Sequence, residues 1–157
     1  MAVVFTYGRF NPPHLGHKMM IEEVINKASK MNKIPVVVVS HSYGNKSNPL
    51  SVADKTRILK KWFPELTVLS SSKNLSLAKI SENFDVGENR KNTFSFLPFN
   101  RHALKRPNAA PSATKARAAA VNGNKEVFKN LTGYNLTNNI QNKISKASTI
   151  TKKKVGL

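Results

Sequence analysis

The sequence predicts a single α/β domain, an open parallel sheet with helices on both faces. Three observations lead there. The apolar run Val3-Val4-Phe5 passes through a Gly/Pro-punctuated turn into an amphipathic segment, which reads as strand, turn and helix. A second run, Ile34-Pro35-Val36-Val37-Val38-Val39, is apolar throughout, as expected of a parallel strand covered on both faces. A chain of 157 residues with 39% hydrophobic content suits one domain with its own core.

The turn Tyr7-Gly8-Arg9-Phe10-Asn11-Pro12-Pro13-His14-Leu15-Gly16-His17 places two histidines where the first helix should begin. Unpaired backbone N–H groups and the positive end of the helix dipole favour anions there, and imidazoles add donors. The first reading is a phosphate-handling turn. A histidine pair that only satisfies its own turn is the alternative. The helix over Lys18–Met31 should bury Met20, Ile21, Val24, Ile25, Ala28 and Met31, with Lys27 and Lys30 suiting its C-terminal end. In open α/β sheets ligands gather beyond the carboxyl ends of the strands, where this turn sits.

The polar loop Ser40–Ser51 leaves the second strand at the same rim. Ser51 can cap a helix with Asp54 in the capping-box position, and that helix carries Ile58, Leu59, Trp62 and Phe63 inward until Pro64 stops it. Trp62 reads as core rather than a base-stacking platform. Leu66–Leu69 is a third strand and Leu75–Phe84 a helix. The aromatic alternation of Phe94, Phe96, Leu97 and Phe99 suggests a further strand, and Arg101, His102, Lys105 and Arg106 ahead of Pro107 suggest a basic rim loop. Ser112 caps an alanine-rich helix over Thr114–Val121 that ends near Gly123, with Thr114 and Arg117 one turn apart on one face. A short helix over Glu126–Leu131 stops at Gly133. Beyond it Ile140 and Ile144 lie one turn apart, and Lys152–Lys154 should fray. The domain is expected over residues 1–133, with 134–157 a basic, Asn/Lys-rich C-terminal helix and tail.

Charge is the outlying property. Twenty-six basic residues against eight acidic ones give +18 and a pI near 10.4, a balance suited to polyanionic partners. Abundant lysine with asparagine can equally reflect an AT-rich genome. No cysteine is present, which excludes disulfides, thiolate metal sites and a cysteine nucleophile and fits an intracellular, cytoplasmic setting. No apolar run reaches membrane-spanning length, and the chain begins without a signal-peptide pattern. Asp54 and Asp85 are the only aspartates, and no carboxylate precedes Glu22, so a two-metal carboxylate site is not expected at the turn.

Gly8-Arg9-Phe10-x-Pro12-x-His14-x-Gly16-His17 resembles the GRFxPxHxGH signature of the HxGH nucleotidylyltransferase superfamily, which includes cytidylyltransferases and the adenylyltransferases of nicotinamide mononucleotide and phosphopantetheine. Lys46-x-Asn48-Pro49-Leu50-Ser51 looks like a segment of its phage and giant-virus members, and Ser112-x-Thr114-x-x-Arg117 resembles the superfamily's S-x-T-x-x-R motif. Asp85-Val86-Gly87-Glu88-Asn89-Arg90 is similar to its V-x-G-S-D-R element, with Gly87 and Arg90 in place but Glu88 and Asn89 at the Ser and Asp positions. The resemblance covers most of residues 1–133 and implies a Rossmann-like fold. It implies transfer of CMP or AMP from CTP or ATP to a phosphate-bearing small molecule, with pyrophosphate released. His14, His17, Lys46 and Arg117 would be catalytic. Tyr7, Gly8, Arg9, Phe10, Asn11, Gly16, Gly87, Arg90, Ser112 and Thr114 would bind the nucleotide, which would carry its own Mg2+. A homo-oligomer stays open.

The spacing across residues 91–110 is shorter than the superfamily's. With the altered Gly87–Arg90 element and the +18 charge, it motivates a competing expectation. That alternative is a catalytically degenerate transferase fold acting as a basic nucleic-acid-binding or virion-associated, virus-encoded protein.

Overall fold

A computed structural model describes residues 3–72, 94–96 and 112–155. The chain runs β1 (Val3–Gly8), α1 (Leu15–Lys30), β2 (Ile34–Val39), α2 (Val52–Trp62), β3 (Thr67–Ser70) and β4 (Phe94–Phe96). It continues through α3 (Ala113–Val121), α4 (Lys125–Thr132) and α5 (Asn138–Val155). The strands form a parallel sheet in the order β3-β2-β1-β4, with β1 and β2 in register from Val3 opposite Ile34 to Gly8 opposite Val39. The chain steps outward from β1 through β2 to β3, and β4 adds on the other side of β1. That reversal puts the exit of β1 at a topological switch point, where open α/β sheets form their ligand crevices. The fold is Rossmann-like α/β.

The apolar runs form strands because their β-branched residues fit a pleated surface with cover on both faces. On one face Val37 and Val39 meet Ile21 of α1 and Leu59 of α2, while Val4 meets Val24 and Ala28. Val3, Phe5, Val36 and Val38 make a separate cluster on the other face. Met31, expected inside, is instead the C-cap of α1 and is 40% exposed. The expected helix over Leu75–Phe84, the Gly87–Arg90 element and the rim loop around His102 lie outside the described residues. The last helix continues through Lys152–Lys154 to Val155, beyond the point where fraying was expected.

The last three helices share a core that also takes in the loop after β2. Leu50 packs with Ala116, Ala119 and Ala120 of α3, Phe128 of α4, Leu136, and Ile144 of α5. Helix α4 ends on Gly133 at φ +84°, and a Cβ there would stand 2.8 Å from Leu15 Cδ2. Only glycine fits that left-handed position without displacing the start of α1. The Tyr134 hydroxyl then donates to Pro13 O at 2.6 Å, and burial holds the phenol in its protonated, donating form. Helix α4 is thereby fastened to the opening turn.

Helix α2 begins with a capping box. Ser51 Oγ accepts from Asp54 N, and Asp54 Oδ2 accepts from Ser51 N. Asp54 also accepts from Lys143 Nζ of α5 at 2.8 and 2.9 Å. Burial pushes its carboxyl up, but the bonds from Lys143 and Ser51 outweigh this and hold it below its ordinary value. A depressed carboxylate contributes stability above its unfolded value, which is lost as pH falls through the folded one. Asp54→Asn should therefore cost about 1–3 kcal/mol in urea unfolding at pH 7. The gap to the wild type should narrow steadily below pH 4, near the ordinary carboxylate range.

Candidate nucleotide site

Beyond Gly8 the chain folds under itself. Phe10 adopts φ +50°, rare for an aromatic residue, and is 3% exposed beneath the turn. Its ring lies so near Gly8 that a Cβ there would stand 3.0 Å from Phe10 Cε2. The peptide joining Asn11 to Pro12 is cis.

His14 is the N-cap of α1 and His17 its N3 residue, the spacing of a capping box. His14 Nδ1 accepts from Gly16 N at 3.0 Å, and His17 Nδ1 accepts from His14 N at 3.1 Å. The rings stack with centroids 3.7 Å apart, and Phe10 flanks His17 at 4.7 Å. With Nδ1 accepting on both rings, each neutral imidazole carries its proton on Nε2. The turn-satisfying and anion-handling readings are thus compatible. Nδ1 of each ring builds the helix end, at the positive pole of the dipole.

Asn11 is buried, and its carboxamide clasps the backbone of Leu50, with Nδ2 donating to Leu50 O at 3.0 Å and Oδ1 accepting from Leu50 N at 2.8 Å. Its own carbonyl accepts from Arg117 Nη1 at 2.9 Å, and Arg117 Nη2 donates to Thr114 Oγ1 at 3.3 Å. The histidine turn, the Lys46–Ser51 segment and the head of α3 therefore meet on one residue. Ser112 caps α3 by accepting from Lys115 N at 3.1 Å. Burial, and then the neighbouring Arg9, lower the Arg117 guanidinium from its ordinary value. Two guanidiniums that disfavour each other's charge form a place for an anion.

Lys46 stands in a tight turn in which Asn45 Oδ1 accepts from Ser47 N and Asn48 N at 3.1 and 3.0 Å. Together with Thr114 and Arg117 it lines an open groove of about 420 Å³, closed on the far side by Val121, Ile144 and Ser148. Tyr7 does not join this group, because it packs with Val3, Phe5, Val36 and Val38. Phe10 and Asn11 are turned into the fold and shape the turn from below. Gly87 and Arg90 lie outside the described residues. Among the described residues no three His, Asp or Glu side chains converge as metal ligands.

Sequence reasoning passed over Lys55. Its ammonium is fully buried and donates to Arg9 O at 2.9 Å and Ser40 O at 2.6 Å, the first carbonyls beyond β1 and β2. Burial lowers its pKa to about 8. The available signal was its place four residues before Leu59 and seven before Trp62, on the apolar stripe of α2.

This geometry gathers cationic and hydroxyl-bearing side chains at one rim of a Rossmann-like sheet. A family profile described as cytidylyltransferase-like matches residues 5–89, more than half of the chain. The chain belongs to the cytidylyltransferase-like family, which places it among nucleotidyltransferase-like proteins. A sequence search of curated proteins finds no match. The fold is also similar to the crystal structure of a macrolide-efflux protein from Streptococcus pneumoniae, with a TM-score of 0.54 and 19% identity over 86% of this chain and 65% of that one. The chain thus spans just under two thirds of that protein, and at this identity the likeness concerns the fold alone. No helix among the described residues is long and apolar enough to cross a membrane.

Asn11→Ala should leave the buried Leu50 N–H and C=O unpaired and lower stability by about 3 kcal/mol in urea unfolding. Ser47→Ala, at an exposed loop position, should stay within about 0.5 kcal/mol of the wild type.

Proposed function

We propose that the protein is a nucleotidylyltransferase that moves CMP or AMP from CTP or ATP to a phosphate-bearing small molecule. The observation that carries this reading is the meeting of three cationic or hydroxyl-bearing segments around Asn11 and its neighbouring groove. An acceptor phosphate oxygen attacks the α-phosphorus in line, the new P–O bond forms, and the bond to the bridging oxygen breaks. Pyrophosphate leaves with that electron pair. No protein nucleophile takes part, so catalysis consists of positioning and charge stabilisation.

His14 and His17 donate from Nε2 to the α-phosphate and the leaving bridge. Lys46, Arg9 and Arg117 neutralise the pyrophosphate, and Thr114 with the Ser112-capped end of α3 orients it. Magnesium enters as part of the nucleotide substrate, held by its phosphates. Gly87 and Arg90 are assigned to the nucleotide on sequence resemblance. Acceptors of the right chemistry include glycerol phosphate, choline or ethanolamine phosphate, nicotinamide mononucleotide and phosphopantetheine.

The +18 charge favours a second reading, in which the fold binds nucleic acid through phosphate contacts without turnover. Pyrophosphate release from magnesium CTP or ATP, measured across the acceptor series, separates the two. Steeply salt-sensitive, sequence-blind DNA binding with no pyrophosphate would favour the second.

His17→Gln is the sharper active-site variant, because glutamine is an ordinary capping-box residue at N3. It should unfold within about 0.5 kcal/mol of the wild type while turnover falls roughly a hundredfold, the usual loss for one transition-state donor. Wild-type turnover in that variant would remove His17 from the mechanism.

A further inference from the structure

The ladder between β1 and β2 ends where Ser40 N donates to Gly8 O at 2.9 Å. Beyond it the two chains part, Arg9 into the histidine turn and Ser40 into the loop that carries Lys46. Lys55 spans the gap by holding one carbonyl from each side. Its ammonium pairs with no carboxylate among the described residues, and burial alone accounts for its shift.

The charged and titratable groups on the elements around it are Tyr7, Arg9, His14 and His17 on the first segment, His41, Tyr43 and Lys46 on the second, and Asp54, Arg57, Lys60 and Lys61 on its own helix. His41 is engaged with Ser71 Oγ at 3.0 Å, and Asp54 is held by Lys143 and Arg57. A buried cation without a carboxylate partner is costly unless an anion completes the set.

We propose that Lys55 is a positioning residue of the triphosphate site, a buried cation that sets the gap between the exits of β1 and β2 and whose charge is balanced by the phosphates bound over Arg9 and the histidine turn. The inference rests on the nucleotidyl-transfer reading and adds a group that never touches the nucleotide. A bound polyanion favours the ammonium over the neutral amine, so binding near pH 8 draws in protons. A neutral amine keeps N–H donors for both carbonyls, so pH changes the charge while leaving the brace in place.

The test is calorimetric titration of the full chain with magnesium ATP and magnesium CTP at pH 6.5 and 8.0. Two buffers of different ionisation heat give the proton count, and wild type, Lys55→Met and Lys55→Gln are compared. The wild type should take up a fraction of a proton at pH 8.0 that both variants lack, while all three agree at pH 6.5. The variants should bind about tenfold more weakly, with cooperative urea unfolding retained. Equal proton uptake and equal affinity in a folded variant would overturn the inference while leaving nucleotide binding intact. Should neither variant fold, a wild-type affinity that stays flat from pH 7 to 9 would overturn it, and a roughly tenfold decline would support it. A wild type that binds neither nucleotide overturns the transfer reading, and this inference with it.

Discussion

The crevice depends on the two-bond clasp between the Asn11 carboxamide and the backbone of Leu50. A carboxamide is the side chain that can donate and accept at once in this geometry, so it completes a buried backbone unit from another loop as a sheet partner would. Leu50 is itself a core residue of the C-terminal helices. The clasp therefore joins the opening turn to the packing of α3, α4 and α5 as well as to a loop. Arg117 closes the third side on the Asn11 carbonyl. Disturbing any one of the three segments shifts the other two.

Around this joint the site is built from groups with two duties. Each histidine spends Nδ1 on the helix end while its ring stands at the positive pole of α1. Arg117 holds a carbonyl with one N–H while its charge remains in the crevice. Such sharing fixes the orientation of these side chains in advance. It also means that alanine substitution removes a structural contact along with the role proposed for the side chain.

Much of this was legible locally. The bounds of β2, the Ser51–Asp54 box, the Ser112 cap and the Gly133 stop follow from short-range rules of burial and capping, and each lies where its residues predict. The histidine spacing marked a helix start, although not that the imidazoles are themselves the capping box. Other features depend on residues distant in sequence. Nothing near Asn11 announces Leu50, nothing near Tyr134 announces Pro13, and Lys55 resembles any helix lysine until its burial is seen. Met31 followed the helical stripe one residue past the point where α1 ends.

The bond from Tyr134 to Pro13 spans 121 residues of sequence, and that from Arg117 to Asn11 spans 106. During synthesis β1, α1 and β2 can assemble well before either partner has left the ribosome. The histidine turn would then be formed early but braced last. A nascent or proteolytically shortened chain would hold its strands in order and yet lack a finished crevice until the final third of the chain docks.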